Sequence, residues 1–104
     1  MVNRWRGDVV LVVNGQRRVA RLTLGALAEL EDALEEPSLV ALVERFEGNR
    51  FSSRDVLLLL AAGLRAGGTE VSVETLAQAE IEGGPVAAYQ AAAKLLARAF
   101  VVPV

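Results

Sequence analysis

Neither a cysteine nor a histidine occurs in the sequence. Without cysteine there is no disulfide frame, no thiolate nucleophile and no zinc knuckle. Without histidine the commonest general base and the commonest transition-metal ligand are both missing. Ser-His, Cys-His and most metal-dependent hydrolyses are closed off, so the expectation is a protein that is not an enzyme and needs no cofactor. Aromatics make up 5% of the residues, too few to cradle a sugar beside paired carboxylates. Basic residues are not massed either: 11 Lys and Arg stand against 13 Asp and Glu, a net charge of -2, whereas phosphate binding wants a basic face. The nearest approach is Arg4, Arg6, Arg17, Arg18 and Arg21 with Trp5 among them. A small regulatory DNA-binding protein is the weakest reading this leaves, and no nucleic-acid partner is expected. Long apolar runs are missing as well. Val9 to Val13 is too short for a signal-peptide core and runs into Asn14-Gly15, and Leu57 to Leu64 falls far short of the ~20 residues that span a bilayer. The expectation is a cytoplasmic protein with no membrane partner.

What the sequence has in plenty is apolar surface. Hydrophobic residues are 53% of the chain and the mean hydropathy is +0.36. A chain of 104 residues is expected to form a single domain and to bury about two-thirds of the surface it exposes when unfolded. The apolar excess beyond that points to a protein partner or a homo-oligomer.

The N-terminal third reads as a β-hairpin over about residues 7 to 22. Asp8-Val-Val-Leu-Val-Val13 and Gln16-Arg-Arg-Val-Ala-Arg-Leu22 flank Asn14-Gly15, and Asn-Gly suits a type I′ turn, whose central residues both need φ > 0. A two-residue turn sets the register: Val13 opposite Gln16, Val12 opposite Arg17, Val10 opposite Val19, Asp8 opposite Arg21. One face then carries Val9, Leu11, Val13, Ala20 and Leu22, and is the natural core side. The other carries Val10, Val12 and Val19, framed by Arg17 and an Asp8–Arg21 charge pair. Strand edges with unpaired backbone groups are expected beside them. Val10, Val12, Val19 and Arg17 are therefore candidate partner-binding residues. Trp5, flanked by Arg4 and Arg6, reads first as a lid on one end of the hairpin, and as the alternative it joins them as a candidate interface anchor.

Four or five short helices follow over about residues 24 to 100, giving an α+β, mostly α, class. Thr23 reads as an N-cap for a helix from Leu24 to about Glu36, with Leu27, Leu30 and Leu34 on one side and Pro37 as its stop. Ser38 caps a short helix with Leu39, Leu42, Val43 and Phe46 inward, broken by Gly48-Asn49. Ser52 and Asp55 have capping-box spacing and open the most apolar helix, Val56 to Leu64, ended by Gly67-Gly68. A helix apolar all round is central or shared with a partner, so Leu57, Leu60 and Leu64 are expected among the most buried residues. Ser72 caps a fourth helix through Glu74, Leu76, Ala77 and Ile81. After Gly83-Gly84, Pro85 starts the last, alanine-rich helix, Val86 to about Phe100, with Tyr89, Leu96 and Phe100 toward one side. Val101 to Val104 is a short apolar tail.

The remaining candidate chemistry reduces to structure. Glu29, Glu31, Asp32, Glu35 and Glu36 could attract a hard cation, but no loop carbonyls or EF-hand spacing accompany them, and a solvated helix face accounts for them. An acidic rim that steers a basic partner is the intermediate reading. Ser52-Ser53 has no base beside it and is explained by capping. Gly67-Gly68 and Gly83-Gly84 lack the flanking pattern of a phosphate-binding loop.

The order of features from Asn3 to Glu31 is a basic-aromatic start, a strand, Asn14-Gly15, an Arg-rich strand, then Arg21-Leu-Thr-Leu-Gly-Ala-Leu-Ala-Glu-Leu-Glu31. Together with Phe51-Ser-Ser-Arg-Asp-Val-Leu57-Leu58 and Ile81-Glu-Gly-Gly-Pro85, it resembles the small tail assembly chaperone of gene transfer agents and related long-tailed (siphovirus-type) phages. The shared residues are caps and apolar positions, and none performs chemistry. The resemblance implies a protein that coats the aggregation-prone tape-measure protein until tail-tube subunits polymerise around it, and that is absent from finished particles. The tape-measure protein, and possibly the tail-tube subunit, would be its partners. Members of the family have also been labelled tail-tube proteins, so a structural, tube-associated subunit is the alternative the resemblance leaves open.

Overall fold

The structure is a computed structural model and describes residues 7–48 and 50–99. Among these residues a two-stranded antiparallel hairpin, β1 (Val9–Val13) and β2 (Gln16–Ala20), precedes five helices. Asn14 and Gly15 have φ of 50° and 79°, the positive pair a type I′ turn demands. The register is the one the turn dictates: Val13 faces Gln16, Val12 faces Arg17 and Val10 faces Val19. Val9, Leu11 and Ala20 enter the core, and Val13 and Leu22 pack against it.

Helix α1 (Leu24–Ala33) starts where expected, with the Thr23 hydroxyl accepting from the Ala26 amide. It ends three residues short of Glu36. The chain turns left-handed at Glu35 (φ 56°), and Arg45 donates to the Leu34 carbonyl and to the Glu36 carboxylate, at 3.2 and 2.9 Å. The Glu36 amide returns to the Glu31 carbonyl at 2.9 Å, so the left-handed turn at Glu35 closes the helix just before Pro37, with Arg45 bound to that end. Helix α2 (Leu39–Glu47) is capped by Ser38 and buries Leu42 and Phe46.

Helix α3 (Ser53–Ala66) is the hub, packing on α1, β2, α4 (Val73–Ala77) and α5 (Gly84–Ala99). Its capping box is complete: the Asp55 amide donates to the Ser52 hydroxyl, and the Ser52 amide donates to Asp55. Asp55 is buried and also takes two hydrogen bonds from Arg45, at 2.9 and 3.0 Å. The bond to Glu36 foremost, and the charge and bonds of Asp55, raise the Arg45 pKa above its usual value against the opposing effect of partial burial. Leu59, Leu60 and Leu64 are fully or almost fully buried, each contributing about 1.5–3 kcal/mol. Leu57 is only half-buried, contrary to expectation, because its side of α3 borders a groove. At the far end α3 presses on the hairpin. A Cβ placed on Gly67 would lie 1.9 Å from the Val19 carbonyl oxygen, and the Arg21 amide donates to the Gly63 carbonyl at 3.0 Å.

Helix α4 stops at Ala77, well before Ile81, which the sequence pattern had placed on it. Residues 80–82 are instead drawn to the hairpin, where Ile81 bridges Val13 in antiparallel fashion. The Asn14 amide donates to the Glu80 carbonyl at 2.7 Å and the Glu82 amide to the Val12 carbonyl at 3.1 Å. The Asn14 side chain accepts from the Glu80 amide at 2.8 Å. Strand β1 has outward backbone groups to satisfy, and an extended segment satisfies them as a helix could not. Helix α5 then packs on α3 and β1, burying Ala88, Ala91, Ala92, Leu95 and Leu96. Phe100 lies outside the described residues.

Candidate functional site

Two apolar surfaces stand out. The first is the hairpin face named from the sequence. Val10, Val12 and Val19 do share a side of the ribbon, with Arg17 exposed beside them. All three valines are half-buried, not exposed. Val10 and Val12 sit in a shallow crease of about 190 Å3 with Glu82, Gln90 and Lys94 at its margin. The charge pair expected on this face exists but not as a surface pair. Arg21 Nε lies 2.9 Å from Asp8 Oδ1, yet Asp8 is fully buried, and the Arg98 side chain donates to the Asp8 carbonyl. The expectation of open strand edges is corrected for part of the hairpin only. Residues 80–82 pair with the C-terminal half of β1, and the end of α3 lies against Val19 of β2. Trp5 lies outside the described residues.

The second surface was not foreseen. A groove of about 900 Å3 opens between the first turns of α3 and α5 and the residues around α4, lined by Val56, Leu57, Leu76, Ile81, Val86 and Tyr89 among others. A second hollow of about 430 Å3 lies between α2 and α5, lined by Val43, Phe46, Leu96 and Ala97, and again by Tyr89. The two meet at an aromatic stack. Phe46 lies 5.5 Å from Phe51, and Phe51 lies 4.8 Å from Tyr89, with rings within 7° and 16° of parallel. Tyr89, 38% exposed, and Val86, 66% exposed, stand on the rim. Val86, Tyr89, Ala93 and Ala97 are all exposed and follow helical spacing of three or four residues, so they form one stripe of α5. The alanines on the opposite face supply the packing. A sequence signal for this existed: α5 has apolar residues on more sides than α3 and β1 can cover.

Two members of the acidic cluster are paired, while Glu31, Asp32, Glu35 and Glu36 still line one open hollow. Glu36 pairs with Arg45, and Glu29 pairs with Arg65 across to α3. Among the described residues no group of three or more Asp and Glu could hold a metal ion. Arg4 and Arg6 lie outside the described residues, and Arg17, Arg18 and Arg21 do not form one basic face. Arg17 and Arg18 alternate to opposite sides of β2, Arg18 bonds Gln16, and Arg21 serves Asp8. No helix among the described residues is long and apolar enough to cross a membrane.

Comparison with known proteins gives one finding. A family model described as "Phage tail tube protein, GTA-gp10" matches residues 6–101. No curated protein and no solved structure matches the chain.

Proposed function

The chain belongs to the phage tail tube protein family GTA-gp10, and from that premise we propose that it is a tail assembly chaperone. In this reading it is not an enzyme. It binds the tape-measure protein in the host cytoplasm, keeps it soluble while the tube grows, and is absent from the finished particle. The observation that carries the proposal is the open apolar surface along α5, exposed at Val86 and Tyr89. Exposed apolar patches of this kind mark interaction sites.

The hairpin face belongs to the proposal as a smaller contributor. Val10, Val12 and Val19 are already half-buried, so covering what remains supplies only about 1–2 kcal/mol before association costs. Arg17 adds a cation at its margin, and Trp5 is proposed as a further anchor. Weak, divided contacts suit a partner that must later be displaced by polymerising tube subunits.

The family description favours a second reading, a tube-associated structural subunit. Against it stands the small size of the sheet, two five-residue strands of which residues 80–82 already occupy part of the β1 edge. Copy number separates the two. A chaperone should be missing from purified tails and should raise the soluble yield of co-expressed tape measure. Recovery in many copies per tail would refute the chaperone. If Val12→Asp with Val19→Asp leaves the yield unchanged, the hairpin face is not part of the site.

A further inference from the structure

We infer that the trough along α5 receives one helix of another protein, apolar along about three turns and carrying a cation at each end. This rests on the reading of the chain as a binder of another protein's apolar segment, and specifies what that segment must look like. From Pro85 to Ala97 the trough follows α5 for about 18 Å, at ~1.5 Å per residue. That length suits a helix of about twelve residues laid alongside, in the helix-in-groove manner. The aromatic stack of Phe46, Phe51 and Tyr89 rises at its middle, with the larger hollow on one side and the smaller on the other. A helix with large apolar residues one or two turns apart would seat one in each hollow and straddle Tyr89.

Charge sets the rest. The charged residue lining the larger hollow is Glu80, and that lining the smaller is Glu47. A carboxylate therefore borders each hollow, one on either side of the aromatic stack, and no lysine or arginine of the described residues lines either. A partner helix with Lys or Arg at both ends meets both carboxylates, and one with acidic ends meets repulsion. The same pattern argues against a second copy of this chain. Two copies packed antiparallel through α5 would bring Glu80 of each toward Glu47 of the other, placing like charges together. A small ligand is also disfavoured, because the polar groups in the lining do not converge. The Ser52 hydroxyl, for instance, is engaged with the Asp55 amide. Small-molecule sites rely on a few polar groups converging on the ligand.

The test uses the whole protein and two fluorescein-labelled helical peptides of about 16 residues. Both have leucines at i, i+4, i+7 and i+11; one has lysine at both ends, the other glutamate. Fluorescence anisotropy should show the lysine-ended peptide binding at least about tenfold tighter. Ala93→Asp, at an exposed position, should weaken it by at least about tenfold while far-UV circular dichroism and the urea midpoint stay near wild type. Glu80→Lys with Glu47→Lys should reverse the preference between the peptides. Equal binding of the two peptides, or Ala93→Asp binding like wild type, would overturn the inference. So would a wild-type dimer that Ala93→Asp converts to monomer in sedimentation velocity, since the trough would then be an interface between copies. None of these outcomes bears on copy number in tails, so the trough and the chaperone reading fail separately.

Discussion

Gly67 is the position at which one methyl group should cost the most. Its φ is -82°, so alanine is conformationally acceptable there and any penalty arises from space alone. The added Cβ would stand 1.9 Å from the Val19 carbonyl oxygen and 2.7 Å from its carbon. Ordinary contact needs about 3.5 Å, so α3 and β2 must separate by more than an ångström at this point. Both neighbours are backbone and cannot rotate away. Forcing a methylene-sized group into a packed interior costs about 1–3 kcal/mol. The same separation strains the bond from the Arg21 amide to the Gly63 carbonyl, one turn away, worth about 1 kcal/mol. The expected loss for Gly67→Ala is therefore about 2–4 kcal/mol, read from urea unfolding with an unchanged m-value. Gly25→Ala is the control. It lies in the first turn of α1 with only the Thr23 hydroxyl near, at 3.8 Å, and should be stabilising by about 0.5–1 kcal/mol. A Gly67→Ala protein within about 0.5 kcal/mol of wild type would refute the close approach of α3 to the hairpin.

Three further substitutions test other parts of the architecture. Leu60→Ala, at a fully buried position of the hub helix, should destabilise by about 2–5 kcal/mol; a loss well below 1 kcal/mol would mean that α3 is not central. Arg45→Met removes the cation from Asp55, whose side chain is 4% exposed, and should cost about 1.5–3 kcal/mol, discounted because Arg45 itself is partly exposed. Adding Asp55→Asn to it should recover part of that loss, and strict additivity would show that the two residues are not coupled. Gly15→Val places a β-branched residue at φ 79°, so it should weaken the hairpin and lower the hydrogen-exchange protection of the Asn14 and Glu82 amides. Unchanged protection would sink the assignment of the turn.

The legible and the illegible parts of this fold divide along a physical line. Local chemistry was readable. Asn14-Gly15 sets a register that holds at Val13–Gln16, Val12–Arg17 and Val10–Val19, and Thr23, Ser38, Ser52 and Ser72 all cap helices, because turns and caps are decided within four residues. Features set by distant partners were not. Arg45 of the next helix binds the end of α1, and the residues after the short α4 pair with a hairpin sixty-odd positions away in sequence. The burial of Asp8 depends on the helix that carries Arg98. The candidate site shows the same division. The register correctly put Val10, Val12 and Val19 on one face, but alternation cannot say how far α5 would cover them. The trough escaped notice because its walls come from α2, α3, α5 and the residues around α4. No single periodicity contains it.

The contact between the first strand and the last helix has a bearing on how the chain is made. Val9 and Leu11 lie in the core beside α5, and a Cβ on Gly7 would touch Arg98 at 3.5 Å. A ribosome synthesises these partners well apart in time. The hairpin can close within microseconds of emerging, but the helix that covers its apolar side is translated more than sixty residues later, by the positions of β2 and α5. At ~5–20 residues per second that is a wait of several seconds. The apolar side of a nascent hairpin is therefore expected to stay uncovered in that interval, and chains stalled before Gly84 should be cut by protease within residues 9–20 while released chains resist.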